Sequence, residues 1–215
     1  MTQLKVVVWA VVTLLSVLVL PTVAVAQAPV YVVKPVAEKK VKQLPEGPLY
    51  WRVENFESLT AAKAAVGPDG WNPATVRYET TTALITEVAG KVWVLTLGPK
   101  GAFTPGGSKI TEIGPVPIFS AAEYLLRVNH ASGPPGSETP VHTHPGSEAF
   151  YVISGELGQR TPHGVANVPA GQTMNGHEGG MPMQVFNSGS TDLTALIMFL
   201  VDASKPFSEP ATLQR

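Results

Sequence analysis

Three side chains able to bind a metal ion lie close together in the stretch GSETPVHTHPGSEAFYVISG, from Gly136 to Gly155. They are His142, His144 and Glu148. In a β-strand alternate side chains share a face, so His-x-His aims two imidazoles at one point. The turn at Pro145-Gly146 then lets Glu148 return on the next strand. Two neutral imidazoles and one carboxylate make an open facial set for a non-haem divalent metal. A single histidine on an apolar strand is more often a hydrogen-bonded structural residue. Two at this spacing, followed by a carboxylate and framed by glycines, are hard to obtain by chance.

Such a set needs a rigid frame, and the composition indicates which kind. The chain has 20 Gly, 20 Pro and only 14% charged residues, which favours short strands joined by turns over long solvated helices. An all-β class follows. With no cysteine there is no disulfide, so the core must hold the fold unaided. A net charge of -1 without a basic run gives no electrostatic footprint for nucleic acid or for an anionic membrane.

At the amino end, Lys5, the apolar run Val6 to Leu20, Pro21 and the small-x-small site Ala24-Val25-Ala26 predict a signal peptide over residues 1–26. An uncleaved anchor would need about 20 apolar residues, which Val6 to Ala26 just supplies. Pro21 and the Ala-x-Ala site argue for cleavage instead. The expected product starts near Gln27, is periplasmic or extracellular, and has no stable membrane insertion after cleavage. What remains is long enough for one domain with a sizeable core.

From Gln27 to Gly47 the sequence reads as an extended arm with one edge strand, and Leu49 to Val53 as a strand. Ser58 can cap a short helix, LTAAKAAV, that Gly67 ends. A turn-rich insert, GPDGWNPAT, follows. Thr82 to Val88 and Val92 to Leu97 then form a hairpin across Ala89-Gly90-Lys91, with Trp93 and Leu95 on its core face. Gly98 to Gly107 is loop, and Lys109 to Ile113 a short strand. All five histidines lie at or after His130, so no second His-x-His marks a second barrel.

In Glu123 to His130 the residues Tyr124, Leu126, Val128 and His130 share a face. If that face looks inward, His130 ends beside the site as a supporting group; otherwise it is a plain surface histidine. After the motif, Glu148, Phe150, Val152 and Ser154 share parity, so Phe150 should wall the pocket while Tyr151 and Ile153 face outward. Gly155-Glu156-Leu157-Gly158 reads as a tight turn, and His163 as an exposed loop residue. Asp192 to Val201 is apolar on both faces. One can fill a barrel, and the other must be covered by the amino-terminal arm or by another subunit. The tail from Ala203 onward reads as a surface extension.

The spacing Gly136, five residues, His142-x-His144, three residues, Glu148, six residues, Gly155 resembles the first motif of the cupin superfamily without a departure. The resemblance implies a cupin-like antiparallel β-barrel, a double-stranded β-helix or jelly roll, over residues 121–203. Before it, residues 27–120 form an amino-terminal extension containing one short helix; residues 204–215 form a tail. It further implies one divalent transition metal (iron, manganese, copper, nickel or zinc) on His142, His144 and Glu148, a small-molecule ligand or substrate, and a homodimer.

The second cupin motif usually runs Pro-x-Gly, two residues, His, three residues, Asn, and supplies a fourth ligand. Here Pro169-Ala170-Gly171 leads to Met174 at that slot, and counting back from Asn187 gives Met183. His177 lies between them in MNGHEGGMP. Three occupants of the fourth position stay open: His177 as a displaced ligand, water or substrate, or a methionine thioether, which would favour copper. The motif is similar to that of the quercetinase-like group, which implies an oxygenase-type oxidoreductase, a metal-dependent dioxygenase, acting on a small organic substrate. The other reading is a module that holds a metal or small ligand and catalyses nothing, because a barrel of this kind says little about chemistry. Beyond the three ligands no side chain reads as a dedicated acid, base or nucleophile, which leaves enzyme status open.

Overall fold

The computed structural model describes residues 29–67 and 82–213. The signal-peptide segment and most of the turn-rich insert after Gly67 lie outside the described residues. Strand β1 (Val32–Val41) takes up most of the arm and pairs antiparallel with β6 (Tyr124–Gly133), from Val32 opposite Ser132 to Val41 opposite Tyr124. Strand β2 (Leu49–Phe56) then leads to helix α1 (Leu59–Val66). Ser58 Oγ accepts from the Ala61 amide at 3.1 Å and so caps the helix, while Gly67, with φ of 81°, releases the chain from it. Strands β3 (Ala83–Val88) and β4 (Lys91–Pro99) meet at Ala89-Gly90, whose φ angles of 53° and 70° suit the twist of a two-residue hairpin. With β5 (Ser108–Ile113) they complete an antiparallel sheet in the order β3-β4-β2-β5.

The second half of the chain continues through β7 (His142–Thr143), β8 (Gly146–Ser154), β9 (Glu156–Thr161), β10 (Gly164–Pro169), β11 (Thr173–Asn175), β12 (Gln184–Asn187) and β13 (Leu193–Asp202). One sheet has the order β1-β6-β13-β8-β11, and the other β10-β9-β12, extended by the bridge between His142 and Met183 towards β7. The chain crosses between the two sheets from β8 to β9 and back from β10 to β11. That is the jelly-roll arrangement, and the chain has the all-β, cupin-type fold with one short helix among its described residues.

Strand β13 explains how the two halves fit together. Ala195, Ile197, Phe199 and Val201 fill the barrel with Phe150, Val152 and Leu157. Leu196, Met198 and Leu200, each 0% exposed, point the other way and pack with Trp51, Trp93 and Leu95 of the amino-terminal sheet. The outer apolar face is therefore covered by the chain itself, and no second subunit is needed for that purpose. The far face of the amino-terminal sheet is closed in turn by α1, where Ala62 and Val66 pack with Phe56 and Val94.

Three expectations change at this level. On β6 the inward residues are Leu125, Arg127, Asn129 and Ala131, whereas Leu126 and Val128 face the amino-terminal sheet. His130 shares their parity and is not among the residues of the barrel cavity. Both faces of this sheet are buried, so alternation gave the parity without saying which set looks inward. The turn after β8 contracts to Gly155, with φ of 75°, because Leu157 and Gly158 already pair in β9. Finally, the tail is not a loose surface extension. Its strand β14 (Glu209–Pro210) pairs with β7, and Phe207 packs into the barrel mouth.

Candidate metal centre and ligand cavity

Strand β7 carries His142, with His144 just beyond its end, and is held on both sides. The amides and carbonyls of His142 and Met183 bond reciprocally at 2.9 and 2.8 Å, and the Ala211 amide donates to Val141 O at 3.1 Å. The two imidazoles stand edge to face with centroids 4.8 Å apart. His142 Nδ1 lies 2.8 Å from the Pro140 carbonyl, and His144 Nδ1 lies 2.7 Å from the Phe207 carbonyl. A carbonyl only accepts, so each Nδ1 carries the proton. Each neutral ring is then left with a free lone pair on Nε2. Metal-binding imidazoles are oriented by hydrogen bonds of this kind. His144 is also gripped between Phe199 and Phe207, with centroids at 4.8 and 4.7 Å. Burial pushes its pKa down to about 4 against the opposing pull of the Phe207 carbonyl, which keeps the ring neutral at neutral pH.

Glu148, on β8, is 2% exposed. Gln159 Nε2 donates to its Oε1 at 2.5 Å and lies 3.5 Å from Met183 Sδ. Burial pushes the carboxyl up to about 8, while the Gln159 hydrogen bond works the other way. The same burial, with the Glu148 charge added, raises the Tyr31 phenol. The loop after β11 crosses directly over this residue: the Gly176 amide donates to Glu148 O at 3.0 Å. A Cβ at Gly176 would stand 2.6 Å from Glu148 Cγ, so only glycine fits there.

His142, His144 and Glu148 line one cavity of about 440 Å³ at the barrel mouth, beside Tyr31, Asn129 and Phe207. His177 is not among its lining residues; its ring lies 6.3 Å from that of exposed His163. Met174 packs against the barrel core, and the thioether of buried Met183 lies against Gln159 rather than among the cavity's lining residues. Phe150 likewise lies in the core rather than in the cavity wall. Sequence reasoning missed Tyr31, Asn129, Gln159 and Phe207. Asn129 follows from the corrected parity of β6, but Tyr31 and Phe207 arrive from the two ends of the chain, and nothing in their local pattern marks them.

The donor set suits a divalent metal ion in its chemistry: two imidazoles with Nε2 lone pairs and a buried carboxylate without a cationic partner among the described residues. Its spacing is more open. Among the described residues no three His, Asp or Glu side chains are grouped closely enough to hold an ion as they stand, so binding has to draw the donors together.

No family model matches the chain, and no curated protein matches it. Solved structures similar to part of it include the polyketide cyclase RemF from Streptomyces resistomycificus, at 19% identity and a TM-score of 0.35. That match covers 41% of this chain and 62% of the other. The DMSP lyase DddQ from Ruegeria pomeroyi DSS-3 is 21% identical with a TM-score of 0.35, over 40% of this chain and 43% of that one. A recombinant oxalate oxidase in complex with glycolate is 24% identical with a TM-score of 0.34, over 40% and 45% respectively. In each case the chain spans less than two thirds of the other protein's length.

Proposed function

We propose that the chain is an exported member of the cupin superfamily. In this reading its barrel mouth holds one divalent transition metal on His142, His144 and Glu148, and it acts on a small organic molecule as an oxygenase-type oxidoreductase. The observation that carries this is the shared fixing of the two imidazoles: both Nδ1 atoms are spent on backbone carbonyls, leaving both Nε2 atoms for a ligand. An ion bound there would supply Lewis acidity and, if iron or copper, the redox chemistry that side chains lack.

The chain's own residues have separate tasks. The Phe207 carbonyl fixes the tautomer and orientation of His144, and Gln159 orients Glu148. Glu148 gives up its proton on becoming a ligand. Phe199, Phe207, Val185 and Ile197 restrict water around the bound substrate. Because His177 is not among the cavity's lining residues, this reading gives the fourth position to water or substrate.

A non-catalytic binding module is the second reading, and the open spacing of the three donors favours it. Elemental analysis with oxygen-uptake measurements on the purified protein separates the two. Iron or copper at near one equivalent, with oxygen consumed on adding substrate, supports the oxygenase. A chain that binds ligand without metal supports the module. Export is proposed from Lys5, the apolar run and Ala24-Val25-Ala26. An intact mass starting near Gln27 supports it, and a full-length mass in the membrane fraction contradicts it.

A further inference from the structure

The connection from β11 to β12 carries the departure from the second cupin motif, and none of residues 176–183 lines the cavity. Its backbone nevertheless reaches all three proposed ligands. Gly176 N donates to Glu148 O at 3.0 Å, Gly180 N to His144 O at 2.8 Å and Met183 N to His142 O at 2.8 Å. A side chain leaves the backbone at the Cα beside its own carbonyl, so each bond fixes the point from which a donor group projects. The Met183 sulfur also lies 3.5 Å from Nε2 of Gln159, the residue that orients Glu148.

The glycines allow this approach. A Cβ at Gly179 would stand 2.7 Å from Gly146 N, in the turn between His144 and Glu148, and that neighbour is backbone that cannot rotate aside. Gly180 has a φ of 85°, in the left-handed region that favours glycine. Glu178, Gly179 and Gly180 also border a second cavity, of about 540 Å³, which gives the loop room to shift when a larger residue is introduced.

We infer that residues 176–183 are a backbone clamp, which positions His142, His144 and Glu148 through main-chain amides and supplies no ligating side chain. This rests on the reading of those three residues as a metal site. The test compares Gly179→Ala with Glu178→Ala, which changes only a side chain of the same loop. Zinc and manganese are each titrated calorimetrically into the full chains after EDTA treatment and desalting, and circular dichroism checks the fold. Gly179→Ala lowers affinity tenfold or more, as when a partner that orients a ligand is lost, whereas Glu178→Ala stays within about twofold of the parent. A glycine with a merely structural role would lower the melting temperature and leave the affinity of the folded variant unchanged. Gly180→Ala, whose Cβ meets no atom within 4 Å, acts through its strained φ and serves should the Gly179 variant fail to fold. The imidazole proton signals of His142 and His144, recorded by NMR in the EDTA-treated chains, move in the glycine variants and stay in place in Glu178→Ala. That readout tests the clamp even where the parent binds neither ion and the metal reading fails. The inference is overturned if the folded glycine variants keep the parent's imidazole signals, if they keep the affinity of a parent that binds, or if Glu178→Ala changes as much as they do.

Discussion

His144 Nδ1 donates to the backbone carbonyl of Phe207 at 2.7 Å, across 63 residues of sequence. The bond makes the carboxyl-terminal segment part of the site, since β14 also fastens β7 and the Phe207 ring packs on His144. Deleting residues 204–215 should free the His144 ring while leaving the two barrel sheets paired. Losing an orienting partner of this kind typically weakens metal binding about 10- to 100-fold. Competition titration against a chelator measures the loss, and circular dichroism checks the fold. Unchanged affinity in the truncated chain would show that the tail merely covers the mouth.

The pH dependence of the metal-free chain follows from two opposite shifts. Glu148 is raised from 4.5 to about 8, so the folded chain holds a proton that the unfolded chain has released, and stability falls as pH rises across that span. His144 is lowered from 6.5 to about 4, so its contribution rises with pH up to 6.5 and is constant above. The two oppose one another below 6.5, and between 6.5 and 8 only the Glu148 slope remains. The melting temperature in EDTA should therefore decline from pH 6.5 to 8, and Glu148→Gln should flatten the decline. A parent curve already flat over that range contradicts the burial of a protonated Glu148.

The seam between the amino-terminal sheet and the barrel should dominate stability. Trp93 is 1% exposed, its Nε1 donates to Val88 O at 3.0 Å, and its ring meets Tyr151 at 5.6 Å. Trp93→Ala should cost about 3–5 kcal/mol, the usual range for emptying a large aromatic site. Urea unfolding followed by both circular dichroism and tryptophan fluorescence tests this. Coincident transitions are expected, because the two halves share one core. A barrel transition left in place by the substitution would mean that the halves unfold separately.

How much of this the sequence disclosed depended on whether the signal was local. The Ser58 and Gly67 caps, the Ala89-Gly90 hairpin and the parity of Glu148 with Phe150 and Val152 are set by neighbouring residues, and each was legible. The inward face of β6 was not, because burial on both sides removes the polar face that would orient the strand. Likewise His142 and His144 could be picked out by spacing, but the carbonyl that holds His144 belongs to a backbone atom of Phe207, and a backbone acceptor leaves no trace in residue type. Gln159 lies on β9, whose first residues carry the glycine pattern of a turn.

His177 was the one histidine able to restore a three-histidine set, and the loop that carries it does touch Glu148 through the Gly176 amide. Its ring nevertheless lies beside His163, outside the cavity. His177→Ala should therefore leave divalent-ion affinity within about twofold of the parent, far from the tenfold or greater loss typical when an orienting partner of a ligand is removed. Isothermal titration with zinc or manganese decides this. A loss comparable to that of His142→Ala would show that the loop swings inward when the ion binds.

The central claim is that His142, His144 and Glu148 hold one divalent ion, and Glu148→Gln tests it most directly. The substitution is nearly isosteric, and its amide oxygen can still accept from Gln159, so the barrel should stay intact while the anionic donor is lost. Parent and variant are equilibrated separately with iron, manganese, copper, nickel and zinc, desalted, and analysed by inductively coupled plasma mass spectrometry. The account predicts close to one equivalent of at least one of these metals in the parent and a loss of about tenfold or more in the folded variant. Equal metal content in the two proteins, or a parent that retains none of the five metals, would contradict it.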